Sequence, residues 1–244
     1  VGGKRTGGKR SWGRRVRCIH LQDKGGIVTK MFGVETVRPA VVAIDLHRGH
    51  LDPSVATLPV RPGTERRLIE ANQRFFERCR AADIPIIHLL TVQRDLAEIR
   101  ANPFKRAHAG AAGVTRRNVE RHQLQGSPGC QIMPELYDPD RDWVVDSKKR
   151  YNCFVGTDLE ITLRAHDINT LLLTGVNTNS CVLATATHAS CLDFAVVVVE
   201  DCADTMDGPE LHEAALACIR TAFGWTMPGD DVLAVLGAAR SIPS

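Results

Sequence analysis

The chain has 244 residues and a mass of 26.7 kDa, enough for one large α/β domain whose core needs neither disulfides nor structural metal. Hydrophobic residues make up 43% and charged residues 24%, which excludes collagen, coiled coil and bulk disorder, and the 5% aromatic content argues against stacking on single-stranded nucleic acid. The net charge of +3 arises at one end: residues 1–30 hold nine Lys or Arg and one acid, Asp23, whereas the rest holds 22 basic and 27 acidic groups.

That basic segment contains seven glycines and no apolar periodicity. It cannot bury enough surface to offset the entropy of ordering it. A nucleic-acid arm and an Arg-rich targeting peptide are two readings of it. We take a third: a disordered extension outside the fold, with Met31 as the natural start and residues 31–244 as one domain. Nucleic acid is therefore not an expected partner. No stretch approaches the roughly 18–20 apolar residues of a membrane span. The eight cysteines (18, 79, 130, 153, 181, 191, 202 and 218) form no Cys-x-x-Cys pair. A reducing cytoplasm suits them better than a disulfide framework or a zinc ribbon.

From Met31 onward, apolar runs alternate with helical patterns. Pro39 to Leu46 is a continuous apolar run ending at Asp45, as in a strand buried on both faces. Pro62 to Ala82 reads as a helix, with Leu68, Ile69, Phe75, Phe76 and Cys79 at helical spacing. Ile84–Leu90 and Asp142–Asp146 read as the second and third strands. Residues 91–140, rich in Gly and Pro, form one long irregular stretch of the kind that serves as a lid or binding loop. Thr157–Ala165 reads as helix, Ile168–Val176 as the fourth strand, Ser180–Cys191 as a small-residue helix and Phe194–Val199 as the fifth strand. Pro209–Phe223 and Pro228–Arg240 read as helices, with Gly224–Thr226 a short sixth strand between them. The alternation predicts a parallel sheet covered on both faces.

In such sheets ligands sit beyond the carboxyl ends of the strands. Asp45 ends strand one, Arg94 follows strand two, Lys148 follows strand three, and strand four runs into Gly175-Val-Asn-Thr-Asn-Ser-Cys181. At a helix N-terminus Cys181 would gain from the dipole and from free N–H groups, which lower a thiol pKa and can hold an oxyanion. Lys148 would add positive charge, and Asp45 would take the thiol proton and return it to a leaving group. The competing reading is a packing cysteine and a surface lysine. His188 lies seven residues beyond Cys181, about 10.5 Å along a helix, too far for a catalytic dyad. The run Asp45-x-His47-x-x-His50-x-Asp52 has metal-ligand spacing; its other reading is a polar loop in which His47 or His50 touches substrate. No dinucleotide fingerprint, P-loop or nucleophile elbow is present.

The runs AVVAIDLHRGHLDP, SKKRYNCFVGTDL, LLLTGVNTNSCVLATATHA and VVVVEDCADT resemble the isochorismatase-like cysteine hydrolase family over about Pro39 to Phe223. The resemblance implies a three-layer α/β/α fold with a six-stranded, mostly parallel Rossmann-like sheet. It implies an Asp45–Lys148–Cys181 triad and a cis peptide at Val176–Asn177. The N–H groups of Asn177, Thr178 and Cys181 would form the oxyanion hole. It also implies a homotetramer or homodimer, with residues 91–140 near an interface. The nicotinamidase pattern of histidines after strand two is missing, which argues against a metal; no cofactor is expected. Retention of the thiol points to C–N cleavage of a small amide, ureido or carbamoyl compound, as in N-carbamoylsarcosine, biuret and ureidoacrylate hydrolases. The alternatives are isochorismatase-type vinyl-ether hydrolysis and an inactive family member. Arg94 is the candidate for a substrate carboxylate, against a surface arginine paired with Asp95 or Glu98. Tyr151 and Phe154 are candidate pocket walls that could equally be core.

Overall fold

The computed structural model describes residues 31–238 and the two-residue strand Ile19–His20. That strand pairs antiparallel with Thr36–Val37. The rest of the expectation for residues 1–30 lies outside the described residues, as do residues 239–244.

The central sheet has six strands: β1 (Pro39–Ile44), β2 (Ile86–Thr91), β3 (Trp143–Lys148), β4 (Thr170–Val176), β5 (Ala195–Asp204) and β6 (Trp225–Met227). Their order is β3-β2-β1-β4-β5-β6, and every neighbouring pair is parallel. The continuous apolar runs become strands because both faces are covered. On β1, Val41 and Ala43 face a layer with Leu68, Phe75 and Phe76 of α2 (Thr64–Ala81) and Val232 and Leu236 of α8 (Gly229–Ala238). Ala40, Val42 and Ile44 face the opposite layer, with Leu159 and Leu163 of α5 (Leu159–Ala165), Ala186 and Ala189 of α6 (Leu183–Cys191), and Leu216 and Ile219 of α7 (Pro209–Ala222). Each large side chain buried this way contributes roughly 1.5–3 kcal/mol.

Chain connections reverse direction between β1 and β4, which opens a crevice at their carboxyl ends. There the strands approach closely. Gly175 has φ +106°, and a Cβ on it would stand 2.0 Å from the Ile44 carbonyl oxygen, so glycine is required.

Three boundaries differ from the sequence reading. β3 continues to Lys148, because its pairing with β2 shifts register between Leu89 and Thr91 and then matches Thr91 to Lys148. β5 runs to Asp204 through the polar Glu200 and Asp201, since a second register shift pairs Ala203 and Asp204 with Gly175 and Val176. Residues 91–140 are less irregular than expected: they hold α3 (Leu96–Arg100), α4 (Pro103–His108) and three single 3₁₀ turns. This segment is tied to the rim of β1 by Arg48 N–H to the Gln131 carbonyl, 2.8 Å, and Met133 N–H to the Leu46 carbonyl, 3.1 Å.

Candidate active site

The crevice brings three of the expected residues together. Asp45 follows β1 with φ +53° and is 1% exposed. Its Oδ1 accepts the Thr91 backbone N–H and hydroxyl, both at 2.9 Å. Its Oδ2 accepts from Lys148 Nζ at 2.5 Å. The same ammonium donates to Thr91 Oγ1 at 2.6 Å and reaches Cys181 Sγ at 3.5 Å. Lys148 is wholly buried, so all three of its N–H donors point at named partners.

These contacts fix the proton positions. Burial would raise the Asp45 carboxyl, but the Lys148 charge and the His47 hydrogen bond outweigh it and hold the carboxyl well below the usual range. Burial would lower Lys148, but the charge of Asp45 and its hydrogen bond raise it above an ordinary lysine. Burial pushes the Cys181 thiol up to about 11, with Lys148 pulling only partly the other way and Asp45 reinforcing the rise. The sequence reading of a stabilised thiolate is therefore corrected. The thiol is 5% exposed in a π-helical turn, Thr178–Val182, ahead of α6, and desolvation outweighs the nearby cation. The resting pair is carboxylate and thiol.

The Val176–Asn177 peptide bond is cis. Asn177 and Thr178 are buried at 4% and 0% exposure. The Asn177 side-chain oxygen accepts the Met206 N–H at 2.8 Å, and the Thr178 hydroxyl contacts His212 Nδ1 at 2.9 Å. These side-chain bonds anchor the turn that carries Cys181.

His47 follows β1, His50 lies within α1 (Arg48–Leu51), and both are buried. His47 Nε2 lies 3.6 Å from Asp45 Oδ1, and the Gln123 amide nitrogen approaches its two ring nitrogens at 2.6 and 2.8 Å. Gly49 makes room for that amide: a Cβ there would meet it at 2.1 Å. His50 Nδ1 donates to the Leu58 carbonyl at 2.5 Å. A third ring joins them, His122 from the long segment, 4.5 Å from His50 between ring centroids and held by Thr57 Oγ1 at 2.9 Å from Nδ1. Burial and the neighbouring rings lower His50 to about 3 and hold His122 well below an ordinary histidine. One ligand nitrogen from each of the three lies within 4.8 Å of the others, so this trio could hold a metal. Asp52 does not join it, because its carboxylate takes Arg48 and Ser54.

Two expected residues fall elsewhere. Arg94 is an exposed side chain whose guanidinium pairs with Glu98 at 2.5 Å, so its charge is used at the surface. Phe154 packs in the core against Phe194 and His188, with ring centroids 6.1 and 5.2 Å away. Tyr151 is half-buried and does face the site, below Lys105 (5.5 Å to the ring centroid) and Arg116 (5.9 Å). Arg116 also contacts Ser180 Oγ at 3.3 Å and pairs with Asp207 at 2.6 Å. Lys105, Arg116, His122 and Gln123 escaped the sequence reading. All four lie in the long segment, where nothing in the pattern separates them from its other polar residues.

Comparison with known proteins places the fold. The family model described as an isochorismatase domain matches residues 39–231. The ureidoacrylate amidohydrolase RutB of Methylobacterium radiotolerans is 41% identical over 139 residues, 56% of this chain and 52% of the relative. The chain thus spans about half the length of the curated relatives it matches. A cysteine hydrolase from Pseudomonas syringae pv. phaseolicola superposes with a TM-score of 0.71 at 22% identity, covering 83% of this chain and 93% of that one. N-carbamoylsarcosine amidase from Thermoplasma acidophilum superposes with a TM-score of 0.62 at 22% identity, covering 79% and 96%.

Proposed function

Because the chain belongs to the isochorismatase family, we propose that it is a cysteine amidohydrolase cleaving a C–N bond of small ureido, carbamoyl or simple amide compounds. The observation that carries this reading is the Lys148 ammonium donating at once to the Asp45 carboxylate, at 2.5 Å, and toward the Cys181 sulfur, at 3.5 Å. The likeness to an amidohydrolase of ureidoacrylate supports C–N cleavage over vinyl-ether hydrolysis.

In this reading Asp45 starts as carboxylate and Cys181 as thiol. Asp45 removes the thiol proton as sulfur attacks the carbonyl carbon, and Lys148 stabilises the sulfur charge as it forms. Backbone N–H groups of Asn177, Thr178 and Cys181 hold the tetrahedral oxyanion. Collapse breaks the C–N bond, and the proton on Asp45 passes to the departing nitrogen, leaving a thioester. Asp45 then deprotonates a water molecule that attacks the thioester. The acid is released, and the proton returns to sulfur. Per turnover one water is consumed and one ammonia or amine is released.

The same reading makes residues 31–244 the working domain, in a cytoplasmic homo-oligomer. Exposed Leu96 and Phe104 on α3 and α4 support a subunit contact through the long segment. Among the described residues no helix is long and apolar enough to cross a membrane. Release of ammonia from a panel of small amides and ureido acids tests the reading. No release from any of them, with vinyl-ether cleavage instead, overturns it.

A further inference from the structure

We propose that Lys105 is the anion-binding residue of this site and selects substrates that carry a carboxylate beside the scissile amide. The proposal rests on the amidohydrolase reading above. Lys105 enters from α4 and is 8% exposed. Three of the cations around it have an acid, and a fourth, Arg150, takes the carbonyls of Glu98 and Lys149. Lys148 has Asp45 at 2.5 Å, Arg116 has Asp207 at 2.6 Å, and Lys149 has Glu98 at 3.6 Å. Among the described residues no carboxylate stands within ion-pair distance of Lys105; it faces the Tyr151 ring instead, 5.5 Å from the centroid. A buried cation without an acid is costly, and a protein retains one where a ligand supplies the missing charge.

The position is right for that role. Lys105 shares electrostatic contact with Lys148 on β3, Arg150 beyond it, Asp45 after β1 and Cys181 in the π turn, and its charge also reaches His122. Burial first, then the charges of Lys148 and Arg150, lower it to about 8. It is therefore mostly an ammonium at neutral pH. Asp45 cancels Lys148 and Asp207 cancels Arg116, while His50, His122 and the thiol are uncharged at neutral pH. The Lys105 ammonium keeps no carboxylate of its own, and a substrate carboxylate supplies one.

The test uses a matched pair, 3-ureidopropanoate and its neutral carboxamide, bound to the full chain carrying Cys181→Ala, by calorimetry at pH 7. The acid should bind more tightly than the amide. Lys105→Met should cut that preference roughly 10- to 100-fold, the range for losing one charge-assisted hydrogen bond. Lys105→Arg should keep most of it, and circular dichroism of each variant checks its fold. Raising the pH through 8 should weaken acid binding and leave amide binding unchanged, because the ammonium is lost. Equal affinity for the two compounds, no binding of either at millimolar concentration, or a preference that survives Lys105→Met overturns the proposal. Turnover by the unaltered chain separates the two claims. Binding preference without hydrolysis of either compound would leave Lys105 as an anion site and refute the amidohydrolase reading. Hydrolysis without preference would do the reverse.

Discussion

Replacing Asp45 by Asn should slow turnover and yet speed alkylation of Cys181. The thiol is pushed up to about 11, against 9.0 for an unperturbed cysteine. At pH 7.5 that lowers the thiolate fraction by about 100-fold, and the thiolate is the species that reacts. Between pH 6.5 and 9.5 the alkylation rate should therefore climb about tenfold per pH unit without a plateau. In Asp45→Asn the negative charge that opposes the thiolate is gone, and Lys148, 3.5 Å from the sulfur, has no carboxylate left to serve. At an effective dielectric of 20, a like-charge pair about 4 Å apart costs about 4 kcal/mol, the upper limit of what removing the Asp45 charge releases. Even a quarter of it raises the rate at pH 7.5 roughly fivefold. Lys148→Met should act in the opposite sense, slowing alkylation below the wild-type rate. The assay is peptide-resolved mass spectrometry after brief iodoacetamide treatment, because Cys191 and Cys218 are exposed and react in parallel. A wild-type rate that is flat from pH 6 to 9, or an Asp45→Asn variant slower than wild type, would show that the resting site holds a thiolate.

Cys181→Ala should abolish ammonia release with an unchanged circular dichroism spectrum, and Asp45→Asn should slow it roughly 10²- to 10⁴-fold; substantial turnover in the first variant would rule out the covalent route. Chelation should leave turnover intact, since the Gln123 amide already occupies His47 and the adjoining Lys148 and Lys105 repel a dication. Inactivation by chelator and recovery with Zn²⁺ would instead make His47, His50 and His122 ligands. Gly175→Ala should cost about 2–4 kcal/mol in a urea melt, because it adds strain at φ +106° to a 2.0 Å clash with Ile44; a loss under 1 kcal/mol would mean the strands part easily there. A chain beginning at Met31 should keep its melting temperature within a few degrees and elute as an oligomer in light scattering. A large fall, or a monomer at micromolar concentration, would contradict the domain boundary or the assembly.

Asp45, Lys148 and Cys181 could be set on one rim from the sequence because each stands at or shortly beyond an apolar run. Asp45 closes PAVVAI and Cys181 follows TLLLTGV, whereas Lys148 lies three residues past WVV and the register shift onto Thr91 carries the strand to it. The Cys181 protonation state was not legible: the helix position argued for a low pKa, and only the fold reveals that burial wins. Phe154 and Tyr151 stand three residues apart, yet one is core and the other is half-buried beneath Lys105 and Arg116, a distinction that no periodicity marks in a turn. The largest omission, Lys105 with Arg116 and His122, has a single physical cause. Their meeting depends on how a 50-residue connection folds back over the rim, and such a connection has no repeating pattern to read.

Asp45, Lys148 and Cys181 stand on or directly beyond strands locked in register, whereas Lys105, Arg116 and His122 hang from that connection. In the proposed mechanism, reaction and recognition are thereby carried on separate stretches of chain. Selection can rewrite residues 94–140 while Thr91, Asp45 and Lys148 keep their contacts, and a laboratory graft of that shorter segment between relatives is the equivalent operation. Substrate preference should travel with the graft, and the catalytic pH dependence should stay with the sheet.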